Sequence, residues 1–330
     1  MSLDRPASAL RNRLLPLLLV FILSLSALAQ QKTKIILDTD IGDDIDDAYA
    51  LGLILSSPEL DLIGIGTSWG NTEQRTKLVS RMLHETGRDD IPVVSGIHTG
   101  NDNITQYGWA ESFKPSKSRQ QNVVDFYLEL IDRYPGQITL VAIGPLTNVG
   151  ALIDRDPVAF RKLKQVAIMG GNATLKSYDV YDGLDTANPA PEYNIMKDVP
   201  AAKKLFAAGV PIIMAGLEST TMLKLDEVKR ARLWRKSSPL TDSITILYHL
   251  WGSTWGGLTP TLFDPMAVAV VIDPTLARLE PMHIEIDDKG VTRNIAGKPA
   301  NAQVLLAPQT ERFFDLIIAR LLKQNLQRAE

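Results

Sequence analysis

An α/β fold with an open, mostly parallel sheet flanked by helices is what this 330-residue sequence predicts, and three observations carry the prediction. Short β-rich runs alternate with longer amphipathic stretches along most of the chain. The β-rich runs are apolar almost throughout rather than at every second position, the pattern of strands covered on both faces. Polar clusters follow those runs directly, and open parallel sheets bind their ligands outside the carboxyl ends of the strands.

The expected strands are residues 34–39, 60–67, 91–94, 138–143, 165–169 and 210–215. Residues 46–55, 72–86, 123–133, 146–153 and 199–208 place apolar side chains at three- and four-residue spacing, which predicts the helical crossovers. Asp38-Thr-Asp40 ends the first strand, Trp69-Gly-Asn71 the second, the run from Gly144 to Asn148 the fourth, and that from Met169 to Asn172 the fifth. Their recurrence at one sheet edge predicts a single composite site. Segments 95–118 and 173–193 are far longer than the usual connection of about six residues, which marks them as lids or binding loops. Residues 282–286 and 291–295 read as a hairpin turned at Asp288-Lys-Gly290, and residues 311–326 as a closing amphipathic helix that packs on the core.

The first 29 residues stand apart. Arg5, Arg11 and Arg13 lead into an apolar run from Leu14 to Leu28, and Ala27-Leu28-Ala29 offers small residues for cleavage. This is the pattern of a secretory signal peptide, so residues 1–29 are expected to be removed and 30–330 to form one domain, secreted or periplasmic. An uncleaved anchor is the competing reading, because the run approaches bilayer-spanning length. The polar Gln30, Gln31 and Lys32 that follow favour cleavage, which leaves no stable membrane anchor.

The whole chain carries a formal charge of −3, and loss of three Arg with one Asp makes the remainder more negative, so no basic surface for nucleic acid is expected. Cysteine is absent, which excludes disulfides, thiolate metal sites and a cysteine nucleophile.

Between Asp38 and Asp47 the sequence places six Asp within ten residues, immediately after an apolar strand and before a helical pattern. Adjacent carboxylates near a low-dielectric strand end repel one another, so they take up protons or share a cation. Capping and the helix dipole account for two or three acids at most. Hard cations take oxygen ligands, and calcium accepts six to eight of them.

With these residues in view, the chain resembles the inosine/uridine-preferring nucleoside hydrolases over nearly its whole length after the leader. Asp38, Asp40, Gly42, Asp46, Asp47, Ala48, Ala50 and Leu51 carry the family's Asp-rich motif. GPLTN from Gly144, MGGN from Met169, NPAPEYN from Asn188 and DPMAVA from Asp264 follow in the family's order. The resemblance implies a Rossmann-like nucleoside hydrolase fold, a small-molecule nucleoside substrate, a bound Ca2+, and assembly into homodimers or homotetramers. It assigns the metal to Asp40, Asp47, the carbonyl of Thr147, and Asp264. Asp40 also takes a proton from the metal-bound water. Ribose contacts fall to Asp46, Asn71, Asn188, Glu192 and Asn194, with Met169 packing nearby and Asn194 counted as catalytic too. In the family the Asn matched to Asn188 usually lies two residues further from the Glu. The chemistry is coherent on its own terms: N-glycosidic cleavage develops positive charge on ribose and needs an activated water, and carboxylates with a metal supply both.

Two departures stand out. Residues separating Gly42 from Asp46 are two more than in the commonest form of the motif, and Asp43 and Asp44 are expected to cap the helix or support the metal ligands from outside. Phe263 stands where these hydrolases carry a His that helps protonate the leaving base. A phenyl ring donates no proton, so base activation falls to aromatic stacking or another acid. Tyr107, Trp109, Trp251 and Trp255 lie in candidate lid segments, with Trp251 and Trp255 divided between lid and core because they stand at helical spacing. Of the four His, His98 and His249 are candidates to reach the base, whereas His84 and His283 read as structural. Two other functions compete with nucleoside hydrolysis. One is a metal-dependent phosphohydrolase, which the absence of Lys and Arg from the polar clusters disfavours; the other is a periplasmic nucleoside or ribose binder without turnover, which Phe263 keeps open.

Overall fold

In the computed structural model, residues 32–115, 121–174, 191–257 and 259–329 are described. The strands are β1 (Thr33–Thr39), β2 (Leu60–Thr67), β3 (Val93–Ser95), β4 (Ile138–Ala142), β5 (Gln165–Met169), β6 (Ile212–Ala215), β7 (Arg278–Met282), β8 (Ile284–Ile286), β9 (Thr292–Asn294) and β10 (Ala302–Leu306). The helices are α1 (Asp46–Leu55), α2 (Thr72–Glu85), α3 (Val123–Arg133), α4 (Thr147–Arg155), α5 (Pro157–Phe160), α6 (Tyr193–Lys197), α7 (Val199–Ala207), α8 (Leu217–Thr220), α9 (Glu227–Lys236), α10 (Pro239–Trp255), α11 (Phe263–Ile272) and α12 (Thr310–Lys323). Residues Thr33–Glu330 form one compact unit.

Eight strands make the main sheet in the order β3-β2-β1-β4-β5-β6-β10-β7, all parallel except β7, which runs antiparallel to β10. The chain therefore builds outward from β1 in one direction, returns, and builds outward from β4 in the other. Between β1 and β4 the crossovers diverge, and such a switch point opens a crevice at the carboxyl edge. Register fixes what lies there: Asp38 stands opposite Ala142 of β4 and Thr39 opposite Thr67 of β2. Both faces of the sheet are covered, so each parallel strand buries side chains in two cores. Leu37, Val141 and Ala167 belong to the core that includes residues of α1, α2, α10, α11 and α12, while Ile36, Leu140 and Val166 belong to the one that includes residues of α3, α4 and α7.

The six parallel strands and five crossover helices expected from periodicity are present, with ends shifted by a residue or two. The third strand starts two residues later than expected, at Val93, because Ile91 and Pro92 lead into it. The expected hairpin is present as β8 and β9, which pair antiparallel as a separate ribbon, while Met282 ends β7, which joins the main sheet through β10. Helix α11 has no helical stripe in the sequence, because FDPMAVAVVI is apolar nearly all round; seven of its ten residues are buried.

Candidate active site

A cavity of about 440 Å³ opens at the switch point. Its floor is acidic, with Asp40, Asp46, Asp47 and Asp264 contributed by the loop after β1 and the first turns of α1 and α11. One carboxylate oxygen from each of Asp46, Asp47 and Asp264 lies within 4.8 Å of the others, and all three residues are buried. Two helix N-termini thus deliver their first-turn acids to one point, where the macrodipoles favour negative charge. The Asp264 N–H donates to Asp46 Oδ2 at 3.1 Å, and the Thr39 hydroxyl donates to Asp47.

Those interactions do not offset the burial. Burial, followed by repulsion from neighbouring Asp residues, holds Asp46, Asp47 and Asp264 well above the ordinary carboxylate range. Asp40 is pushed up to about 7 by burial; the Arg75 guanidinium works against that, while the charges of Asp43 and Glu192 add to it. Four acids so placed are stable as anions only beside a cation, and an all-oxygen donor set suits a hard one. The residues therefore fit a bound divalent metal. Thr147 opens α4 just past β4, at the same sheet edge, and is not among the residues that line the cavity.

Opposite the acids, Glu192 and Asn194 are fixed by hydrogen bonds. Glu192 caps α6, its carboxylate accepting the N–H groups of Gly171, Asn194 and Ile195 at 2.9, 2.9 and 3.1 Å. Asn194 donates its amide to the carbonyls of Ile143 and Met169 at 3.1 and 3.0 Å, joining the ends of β4 and β5. Met169 lines the same wall. Tyr193, Met196, Trp255 and Phe263 line the remainder, and the first three are large exposed apolar residues. Partial burial, with a smaller contribution from Asp40, pushes the Tyr193 phenol up to about 12, so it stays a proton-bearing group.

Several expected site residues lie elsewhere. Trp109 and Trp251 are buried in the core, the first under the Arg81 guanidinium at 4.4 Å and the second against Tyr248, from where the Trp251 side chain still reaches the cavity-lining Asp44 through a hydrogen bond. His249 is exposed and stacks on Trp234, and His98 is exposed and paired with Asn101 at 2.7 Å; neither lines the cavity. At the end of helix α10 it is Trp255, 48 % exposed, that lines the cavity rather than Trp251. Asn71 stands at the carboxyl end of β2 as the N-cap of α2, its Oδ1 accepting from Gln74 N, and is not in the cavity wall. Asn188 and residues 1–29 lie outside the described residues.

The two additional acids do not cap α1, whose N-cap is Ile45 with no side-chain hydrogen bond. Asp44 accepts the N–H of Ile45 at 2.7 Å and lines the cavity rim, while Asp43 pairs with Arg75 at 2.8 Å. Gln106 ties this loop from the other side, its Nε2 donating to the Asp44 carbonyl at 2.7 Å and its N–H to that of Gly42 at 2.8 Å. Arg75 and Gln106 escaped sequence reasoning, and the only trace of Arg75 there was a cation on the otherwise apolar face of an amphipathic helix.

Comparison with known proteins agrees with this geometry. Residues 35–315 match the model of the family described as inosine-uridine preferring nucleoside hydrolase. A pyrimidine-specific ribonucleoside hydrolase, RihA, of Citrobacter koseri is 30 % identical over 319 residues, covering 87 % of this chain and 97 % of its own. Among solved structures, the plant nucleoside hydrolase PpNRh1 superposes with a TM-score of 0.76 at 28 % identity, over 88 % of this chain and 99 % of its own. The purine-preferring ribonucleoside hydrolase from Gardnerella vaginalis does so with a TM-score of 0.75 at 25 % identity, over 88 % and 98 %. On the strength of a family match that spans the sheet, the acidic floor and the amide wall, the chain belongs to the inosine-uridine preferring nucleoside hydrolase family.

Proposed function

We propose that this hydrolase cleaves the N-glycosidic bond of ribonucleosides with Ca2+ as its cofactor, releasing free base and ribose. The buried acidic trio beside Asp40 carries the proposal. Asp47 and Asp264 of that trio would hold the ion, with Asp40 and the Thr147 carbonyl as further oxygens, and Asp46 stands beside them for the sugar. When bound, the ion supplies Lewis acidity that lowers the pKa of a coordinated water. Asp40 accepts the proton of the attacking water, a role suited to a carboxylate whose affinity for a proton is raised towards neutrality. Asp46, Glu192 and Asn194 bind the ribose hydroxyls and hold the sugar in an attack geometry, and Met169 packs against its ring. Anionic groups around the sugar also stabilise the positive charge that develops on it.

Base departure is the step this chain handles differently. Phe263 lines the cavity without a proton to give. Trp255 and Phe263 present aromatic faces to a planar base, and stacking raises its basicity so that solvent protonates it. Among the described lining residues none is Lys or Arg, which suits a neutral nucleoside better than a nucleotide. Relatives named for pyrimidine and for purine specificity flank this chain, so both base classes belong in the assay. Export, with cleavage after Ala29, is part of the same proposal and rests on the leader sequence.

The test is release of base from inosine, adenosine, guanosine, uridine and cytidine with CaCl2 and then with EGTA. Calcium-dependent release from at least one is expected. Binding without release in every case sinks the hydrolase reading, and release of phosphate from nucleotides would favour a phosphohydrolase.

A further inference from the structure

Arg75, on the first turns of α2, is almost fully buried, yet it belongs to neither the acidic floor nor the amide wall. Its guanidinium makes a fork between two strand-end loops. Nε donates to the Trp69 carbonyl at 2.8 Å, Nη1 to the carbonyls of Asp40 and Ile41, the latter at 2.9 Å, and Nη2 to Asp43 Oδ2 at 2.8 Å. The acceptors are the main chain of Asp40 itself, the residue after it, the turn after β2, and one of the two additional acids of the motif. Trp69 adopts the left-handed region at φ 63°, a conformation uncommon for a large side chain, and its carbonyl is turned to the guanidinium. A single planar cation thus fixes the backbone that carries Asp40. A fork of fixed N–H directions does this where an ammonium on a flexible stem would not.

We propose that Arg75 is the positioning residue for Asp40, locking the loop after β1 to the turn after β2 through its carbonyl contacts and its ion pair with Asp43. The inference rests on the reading of Asp40 as the group that accepts the proton from water. Asp43 then has a defined purpose: it anchors the guanidinium on the loop after β1, and the Thr105 N–H, donating to Asp43 Oδ1 at 3.2 Å, completes the anchor.

Arg75→Gln, Arg75→Lys and Asp43→Ala in the full mature protein test it, with kcat and KM measured on whichever of the five nucleosides the wild type cleaves. Displacing a catalytic group by about an ångström costs about 100-fold in rate, so Arg75→Gln is expected to lose that much in kcat while KM stays within about threefold. Arg75→Lys, which keeps charge but not the fork, is expected to lose about tenfold, and Asp43→Ala less than that. An Arg75→Lys enzyme with wild-type kcat overturns the proposal, as does a rise in KM with kcat preserved. If Arg75→Gln fails to melt cooperatively, the other two variants decide. Amide exchange of segment 38–47 reads the loop without turnover: exchange faster by about tenfold is expected in Arg75→Lys, and unchanged exchange overturns the proposal even if the wild type cleaves no nucleoside.

Discussion

A carboxylate taken out of water needs an answering charge, several hydrogen bonds or a proton, and the acids around this cavity differ in which they receive. Glu192 receives three backbone N–H groups. Asp38 accepts the Tyr127 hydroxyl at 2.5 Å and the Asn148 amide at 2.8 Å, yet burial still lifts it to about 6. Glu218, on α8, has less: among the described residues its Oε2 has no partner while its Oε1 accepts from Ala173 N at 3.2 Å, and burial pushes it up to about 7. Its folded value lies above the ordinary 4.5, so the folded state prefers the proton. The stabilisation is complete below pH 4.5 and is lost as the pH rises through about 7, a change on the order of 3 kcal/mol. Glu218→Gln keeps the shape without the charge. It should match the wild type at pH 4 and melt about 5 °C higher at pH 8.5, read by thermal denaturation across that range. Parallel pH curves for the two proteins would show that Glu218 is not the group responsible. In the sequence Glu218 was unremarkable, because nothing in its neighbours reveals burial, whereas Asp38, Asp40, Asp46 and Asp47 announced themselves by density of charge alone.

At the scale of elements, the site is the meeting of strand ends, and small residues set how closely they meet. Gly144 follows β4, and a Cβ there would lie 2.7 Å from both Asp40 Oδ1 and Ser68 Oγ. Gly144→Ala is therefore expected to displace Asp40 and lower kcat about 100-fold with KM little changed, measured by base release. Full activity in that variant would mean the loop after β1 yields freely, against the rigidity argued for Arg75. The strands and crossovers that build this edge were legible because buried parallel strands and amphipathic helices have distinct periods. The last third was less so. Helix α11 is apolar all round, and β10 returns to the sheet from a distant part of the chain, a pairing that periodicity does not encode. Trp251 and Trp255 share a helix at a spacing that places them on one face, yet one is core and the other rim because α10 ends there, at Gly256 in the left-handed region. Sequence spacing gives the face of a helix; where that face stops being covered is a property of the packed fold.

For the whole molecule, the consequence of the acidic floor is that folding and cation binding are linked. A chain of net charge −3 concentrates Asp40, Asp46, Asp47 and Asp264 at one buried point, where each is raised above its ordinary value. Without a cation the folded state must hold protons that the unfolded chain releases, so it loses stability as the pH rises above the ordinary carboxylate range. A hard divalent cation replaces those protons, and at 100 times its Kd it stabilises the fold by about 2.7 kcal/mol. Calcium chloride should accordingly raise Tm by several degrees at pH 8 and by much less at pH 5, where protons compete, while EDTA should reverse the gain. The same physics predicts opposite effects of one substitution. Asp264→Asn removes a buried charge, so the metal-free protein should melt at or above the wild-type temperature at pH 8, yet the calcium-induced rise should largely vanish. A variant that is less stable without metal and still gains the full calcium shift would place the cation away from Asp264. In that event the raised pKa values of the trio would reflect shared protons and not a metal centre. The two outcomes separate cleanly, because protons and cations are competitors for the same oxygens.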